Sequence, residues 1–209
     1  SGNAAGGRSG AVATDAGGSV YVVATSTSGP NPSQVMLRKF NSTLSPGPSA
    51  VFSGDFGFVH KGHGVAVNPV NGDVYATATS TNGAIQQTSV LRYSPSLIFV
   101  SSSVLPFATH TDVDADAAGN IYTAGHGGLY RLNPDLSVFS CASDFTDTHY
   151  VAVRSSNSVY ASGDTGARLS LRVVRRDLSN PGCSPQQGGG GDNGGLAIGF
   201  DNAGFLWQV

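Results

Sequence analysis

One phrase recurs five times along this 209-residue chain, and self-similarity at a fixed period constrains a fold more than any single motif. The phrase is a short apolar strand, a tight turn rich in Asn, Asp and Gly, and a second apolar strand carrying an aromatic residue. Its copies are GAVATDAGGSVY (10–21), GVAVNPVNGDVY (64–75), DVDADAAGNIY (112–122), YVAVRSSNSVY (150–160) and LAIGFDNAGFLW (196–207). The first four are followed by a variable loop and a third strand with a basic residue near its end: VMLRKFN (35–41), SVLRYSP (89–95), GLYRLNP (128–134) and LRVVRRD (171–177). A turn and a weaker fourth strand come next. Alternating side chains joined by short turns fit antiparallel hairpins, so each unit reads as a four-stranded meander, with strands A to D running from the inside outward.

The aromatic anchors Tyr21, Tyr75, Tyr122, Tyr160 and Trp207 lie 54, 47, 38 and 47 residues apart, which brackets the roughly 40 to 50 residues of one propeller blade. The expected fold is therefore an all-β propeller of four-stranded antiparallel blades, about five of them, with the last one incomplete. A single domain covers residues 1–209, with approximate blades at 9–54, 62–106, 110–141, 148–183 and 194–209. The fifth blade reaches only strand B, and residues 1–8 (SGNAAGGR) are too short and Gly-rich to supply two strands. An unpaired strand edge invites pairing with another chain, so this blade is expected to be completed by a neighbouring subunit or by further sequence. The run Gly188 to Gly195 reads as a flexible connection into it.

Composition narrows the setting. Charged residues make up 11 % of the chain, less than half the roughly 25 % of ordinary soluble domains. All 13 acidic residues are Asp, and Lys occurs only at Lys39 and Lys61. A net charge of -2 argues against nucleic acid, whose partners carry a clustered basic surplus. No apolar stretch reaches the length of a membrane span and no charged-then-apolar signal opens the chain. A surface built from Ser, Thr, Asn and Gly, with two cysteines and one Met, points to an extracellular or cell-surface protein.

The phrases GVAVNPVNGDVYATA, DADAAGNIYTAG and GLYRLNP resemble bacterial surface β-propeller repeats of the SBBP type and, more loosely, NHL repeats. The resemblance covers about residues 9–209 and implies a propeller. Those families include adhesive and scaffolding modules as well as lyases and lactonases, so the fold does not select an activity. They commonly close rings of six or seven blades, from which this chain departs.

Enzyme signatures such as G-x-S-x-G, H-E-x-x-H, the P-loop and C-x-x-C are absent, and with no Glu any carboxylate acid or base is an Asp. In a propeller meander His60, His63, His110 and His149 fall in D-to-A connections and His126 in a B-to-C loop, all on one face. His63, His110 and His149 stand at or next to the same register before strand A, so they would converge on the channel mouth from different blades. Three imidazoles with an open position suit zinc or copper. Some NHL-type lyases hold a metal in this way. The alternative is three loop histidines that are solvated or bonded to backbone.

Asp112, Asp114 and Asp116 alternate along strand A of the third blade, and other blades place Val12, Ala66 and Ala152 where Asp114 stands. Like charges on an innermost strand are costly unless wet, protonated or bound to a cation, so calcium binding at Asp112 and Asp114 stands beside a hydrated channel as a reading. Lys39, Arg92, Arg131 and Arg175 recur at one register of strand C, which points to architecture; Arg168, Arg172, Arg175 and Arg176 make blade four locally basic. Segments 25–34 and 79–89 read as long uncharged loops suited to glycan or protein contact. Cys141 and Cys183 are an even pair in a chain expected outside the cell, which favours a disulfide, while their equivalent positions in adjacent blades oppose one. Asn41-Ser42-Thr43 matches the N-glycosylation sequon, and the same Asn is also ordinary turn chemistry.

The leading functional expectation is a noncatalytic propeller acting in binding, adhesion or self-assembly at the cell exterior, with protein or glycan partners and a homo-oligomer or filament formed through the fifth blade. One rival is a metal-dependent lyase or hydrolase using His63, His110 and His149, with Asp112 or Asp114 as base. A carbohydrate-binding lectin is the other.

Overall fold

Short apolar runs with period-two alternation, punctuated by Asp, Asn and Gly, leave strands as the consistent local choice. The computed structural model describes residues 10–27, 33–54, 58–83, 85–105, 110–125, 128–142, 147–164, 172–179, 198–201 and 205–208, and its only regular elements are strands. The sequence features at residues 1–8, His126, Arg168, Cys183 and 188–195 lie outside the described residues.

Strands β1 (Gly10–Thr14), β2 (Val20–Ser26), β3 (Gln34–Phe40) and β4 (Pro46–Phe52) form a four-stranded antiparallel sheet in sequence order. A second such sheet contains β5 (Val59–Val67), β6 (Val74–Asn82), β7 (Ile85–Tyr93) and β8 (Phe99–Leu105). The third comprises β9 (His110–Ala115), β10 (Ile121–Gly125), β11 (Gly128–Leu132) and β12 (Val138–Ala142). Among the described residues the fourth sheet has three strands, β13 (Asp147–Ser155), β14 (Ser158–Asp164) and β15 (Arg172–Arg176), and the fifth has two, β16 (Ile198–Phe200) and β17 (Leu206–Gln208). The chain divides into two compact units, one holding the first two sheets and the other the remaining three together with Asn68–Asn71.

In the first unit β1 touches β5, and in the second β13 touches both β9 and β16, so within each unit the first strands of consecutive sheets are neighbours. The first unit's core joins Tyr21, Val23, Val35 and Leu37 of one sheet to Val65, Ala76, Ala78 and Leu91 of the next. The second unit packs Tyr122, Ala124 and Leu129 against Val151, Val159, Ala161 and Leu178.

The recurring turn explains why the phrase repeats. Asp15 and Asp116 open A-to-B turns whose fourth residues, Gly18 and Gly119, sit at φ 79° and 85°, a region that glycine enters without Cβ strain. Each carboxylate accepts the backbone N–H four residues on (Ser19, 2.8 Å; Asn120, 2.9 Å) and the hydroxyl of the anchor tyrosine six residues on (Tyr21, 3.1 Å; Tyr122, 2.9 Å). Asp201 repeats the pattern with Phe205 N–H and Trp207 Nε1 at 2.9 and 2.7 Å.

Directly across from each anchor stands the basic residue of the third strand: Tyr21 faces Lys39, Tyr75 faces Arg92, Tyr122 faces Arg131 and Tyr160 faces Arg175. Lys39 Nζ lies 4.9 Å above the Tyr21 ring and donates to the Pro95 carbonyl of the next sheet. Arg92 forms a 2.6 Å ion pair with Asp73, and Arg131 donates to Asn120 Oδ1 and to the Leu178 carbonyl. Arg92 thus ties neighbouring strands of its own sheet, and Lys39 and Arg131 tie sheet to sheet.

Three sequence expectations are corrected. Residues 79–89 are not a long loop, because β6 reaches Asn82 and β7 begins at Ile85, pairing Thr79 with Thr88, Ser80 with Gln87 and Thr81 with Gln86; Thr is enriched in strands. His60, His63 and His149 lie inside β5 and β13 instead of in connections, and His110 opens β9. The register partner of Tyr21 is Ala13, so Ala13 and not Val12 corresponds to Asp114, which pairs with Tyr122.

Candidate functional site

The strongest departure from the repeat is the Asp112–Asp114 pair. Both residues point from β9 toward β13, because alternate residues of a strand share a face. Asp112 Oδ2 accepts the Val151 backbone N–H at 3.0 Å, and Asp114 Oδ2 accepts that of Val153 at 2.8 Å. Asp114 Oδ1 also accepts the Ala115 N–H at 2.8 Å. Thr111 completes the seam by donating its hydroxyl to the His149 carbonyl. Two carboxylates and one hydroxyl thus hold β9 and β13 together through side chains.

That placement costs ionisation. Burial pushes the Asp112 carboxyl from 3.8 up to about 7; the bond from Val151 opposes the rise and the charge of Asp114 adds to it. Burial likewise lifts Asp114 from 3.8 to about 6, against the bonds from Val153 and Ala115. Both residues retain some exposed surface. Asp116, the third of the series, is buried and belongs to the turn, where Asn120 and Tyr122 saturate its oxygens.

The histidines do not share one environment. His60 is 1 % exposed, hydrogen-bonded through Nδ1 to Ser80 Oγ at 2.7 Å and packed between Phe52 and Phe58. His63 sits in a bulge of β5, where the register slips between Gly62 and Val65. Its Nε2 is buried without a hydrogen-bond partner among the described residues. Burial, then the charge of Lys61, lowers its pKa, so the ring is neutral at pH 7. His149 is half-buried on β13, and the side chain of His110 lies outside the described residues. Among the described residues no group of three or more His, Cys, Asp or Glu side chains is placed to hold a metal ion. Cys141 is disulfide-bonded, and Cys183 is the one other cysteine in the chain.

Sequence reading missed what the aspartates face. The signal was present only as T-D-V-D-A-D, an alternation that says "one face" without naming the strand opposite.

The fold has solved counterparts. The Hadza microbial sialidase Hz136 is similar with a TM-score of 0.59 at 11 % identity, over 94 % of this chain and 50 % of that one. A mutant of the GH43 protein BlXynB from Bacillus licheniformis is similar with a TM-score of 0.50 at 13 % identity, over 96 % of this chain and 47 % of that one. This chain spans about half the length of both structures. No family model and no curated protein matches it. At these identities the likeness is one of fold, all-β and propeller-like. The expectation of a noncatalytic adhesion or self-assembly protein is corrected by this comparison, in which a sialidase and a GH43 protein share the fold.

Proposed function

We propose that this chain is an exported, carbohydrate-acting propeller module in which Asp112 donates a proton to a glycosidic oxygen and Asp114 activates the attacking water. The finer architecture belongs to the same proposal: blades of the SBBP or NHL-like type around a common axis, with strand A innermost. Its partner is a glycan at the cell exterior.

The observation that carries the reading is the chemistry chosen for the β9–β13 seam. A clip to two backbone N–H groups needs only acceptors, which Asn or Ser would supply with no ionisation penalty. The chain instead uses two carboxyls that burial raises from 3.8, to about 7 and to about 6. Perturbed acids of this kind concentrate at catalytic sites, and a glycosidase needs one protonated and one ionised carboxyl at working pH. Alternate residues on a strand stand roughly 7 Å apart, within the roughly 6.5–9.5 Å of inverting pairs. The fold shared with a sialidase and a GH43 protein supports the substrate class.

The test is hydrolysis of a panel of aryl glycosides and polysaccharides, followed by reducing-end release and by NMR of the first-formed anomer. The expected result is inversion, with a bell-shaped rate whose limbs fall near pH 6 and 7 as properties of the pair. Asp112→Asn should lower the rate by about 10²-fold or more while remaining folded. A panel with no turnover, or an Asp112→Asn protein of undiminished rate, refutes the proposal.

A further inference from the structure

We infer that Asn41 is an N-glycosylation acceptor, built so that its side-chain nitrogen reacts without disturbing the turn that holds it. The inference rests on the proposed export of the chain and is independent of its proposed catalysis.

The turn joining β3 to β4 closes by Leu44 N–H to the Asn41 carbonyl at 2.9 Å and Asn41 N–H to the Ser45 carbonyl at 3.1 Å. Asn41 is exposed at its first position. Its Oδ1 accepts three donors: Thr43 N–H at 3.0 Å, Thr43 Oγ1 at 2.8 Å and Ser45 N–H at 2.8 Å. All the structural work of this side chain is therefore done by oxygen. Among the described residues no hydrogen bond engages Nδ2, and the residue is exposed.

The turn joining β11 to β12 provides an internal comparison. It has the same closure, with Leu136 N–H to the Asn133 carbonyl at 2.8 Å and Asn133 N–H to the Ser137 carbonyl at 2.9 Å. There the chemistry is reversed: Asn133 Nδ2 donates to Ser137 Oγ at 2.9 Å, the next residue is Pro134, and Asp135 occupies the place of Thr43. Two turns of one shape thus spend opposite ends of the carboxamide, and only Asn41 stands in an Asn-x-Thr sequence. Donors on Oδ1 polarise the amide and make the Nδ2 protons more acidic.

The co-reactant is a polyprenyl-diphosphate-linked oligosaccharide. Nδ2 loses one proton and forms a bond to the anomeric carbon; the bond from that carbon to the diphosphate oxygen breaks, and the polyprenyl diphosphate leaves with the electron pair and takes up the proton. The oxygen contacts of the turn are untouched, so the modified chain keeps the β3–β4 hairpin.

The full chain, fused to a cleavable signal, is translated with translocation-competent microsomes, and only protease-protected product is scored. A mobility shift removed by peptide N-glycosidase is expected for the wild type and for Ser42→Ala, and its loss for Asn41→Gln and Thr43→Ala. Thr43→Ala keeps the acceptor Asn and two of its three donors, so its loss of shift separates acceptor chemistry from a disrupted turn. The enzymatic release should convert residue 41 to Asp by mass spectrometry and leave Asn133 unchanged. Protected wild-type chain without a shift, or a shift that survives Asn41→Gln, overturns the inference; failure of glycosidase activity elsewhere in the protein does not bear on it.

Discussion

Replacing Asp112 by Asn isolates the cost of placing an ionisable group in the β9–β13 seam. The native carboxyl is raised from 3.8 to about 7, so between these values the folded protein binds more protons than the unfolded chain. Unfolding free energy then falls as pH rises through that window and is level above about 7 and below about 4. Each unit of displacement corresponds to about 1.4 kcal/mol, which bounds the effect near 4 kcal/mol; the partial exposure of Asp112 reduces the expectation to about 1–3 kcal/mol. Asparagine has no charge to bury and keeps a carbonyl for the Val151 N–H. The variant should match the wild type near pH 4 and exceed it by that margin at pH 8. Urea melts at half-unit pH intervals measure the difference directly; titrations remote from the seam are common to both proteins and cancel, while Asp114, relieved of the Asp112 charge that couples to it, adds to the variant's margin at pH 8. Equal midpoints at every pH, or a wild type that gains on the variant toward pH 8, would refute the reasoning.

The disulfide of Cys141 closes a loop of about 40 residues if Cys183 is its partner, and Cys141→Ser should cost about 4 kcal/mol in urea melts under oxidising conditions; a loss below about 1 kcal/mol would deny it a role. Leu44 and Leu136 both adopt left-handed backbone, at φ 61° and 70°, but the first is 65 % exposed and the second 2 %. Replacement by Gly relieves about 1 kcal/mol of strain at each, so Leu44→Gly should be neutral or slightly stabilising. Leu136→Gly should destabilise by about 1–3 kcal/mol through lost packing; equal effects from calorimetry would mean that burial does not decide the sign. Asp116→Ala removes the acceptor of the Asn120 N–H and of the buried Tyr122 hydroxyl and should cost about 3 kcal/mol, with Asp116→Asn recovering part of it.

The repeating antiparallel sheets were legible because their signals are local. An Asp, a Gly three residues later and an aromatic six residues later encode one turn whose carboxylate accepts from both the backbone and the polar hydrogen of the anchor ring, so Asp15, Asp116 and Asp201 announce the same hairpin. The basic residues of strand C could be read as architectural for the same reason: they recur in step with the anchors they face. Strand length was harder to read. Residues 79–89 carry no charge and many Ser, Thr and Gln, a composition shared by loops and by strands whose faces are both covered. Burial of Thr77, Thr79, Ser80, Thr88 and Ser89 decides for strand, and burial is a tertiary property. The same extension of β5 toward its start moved His60 and His63 out of a supposed connection and into the sheet.

The site was half legible for a deeper reason. Period-two alternation places Asp112 and Asp114 on one face with certainty, yet register between neighbouring sheets has no local code: nothing in T-D-V-D-A-D specifies that Val151 and Val153 stand opposite. A channel lined with hydrated carboxylates and a seam bonded to backbone N–H groups predict the same sequence. They differ in ionisation, since water would leave both acids near 4 whereas the seam lifts them to about 7 and 6. Residues that hold a fold together are normally chosen to avoid such a penalty, as Asn68 does when it reaches the Gly119 carbonyl through its neutral amide. An acid kept where an amide would bond as well is therefore better explained by its proton than by its hydrogen bond, and the contrast between Asp112→Asn stability and Asp112→Asn activity is where that explanation stands or fails.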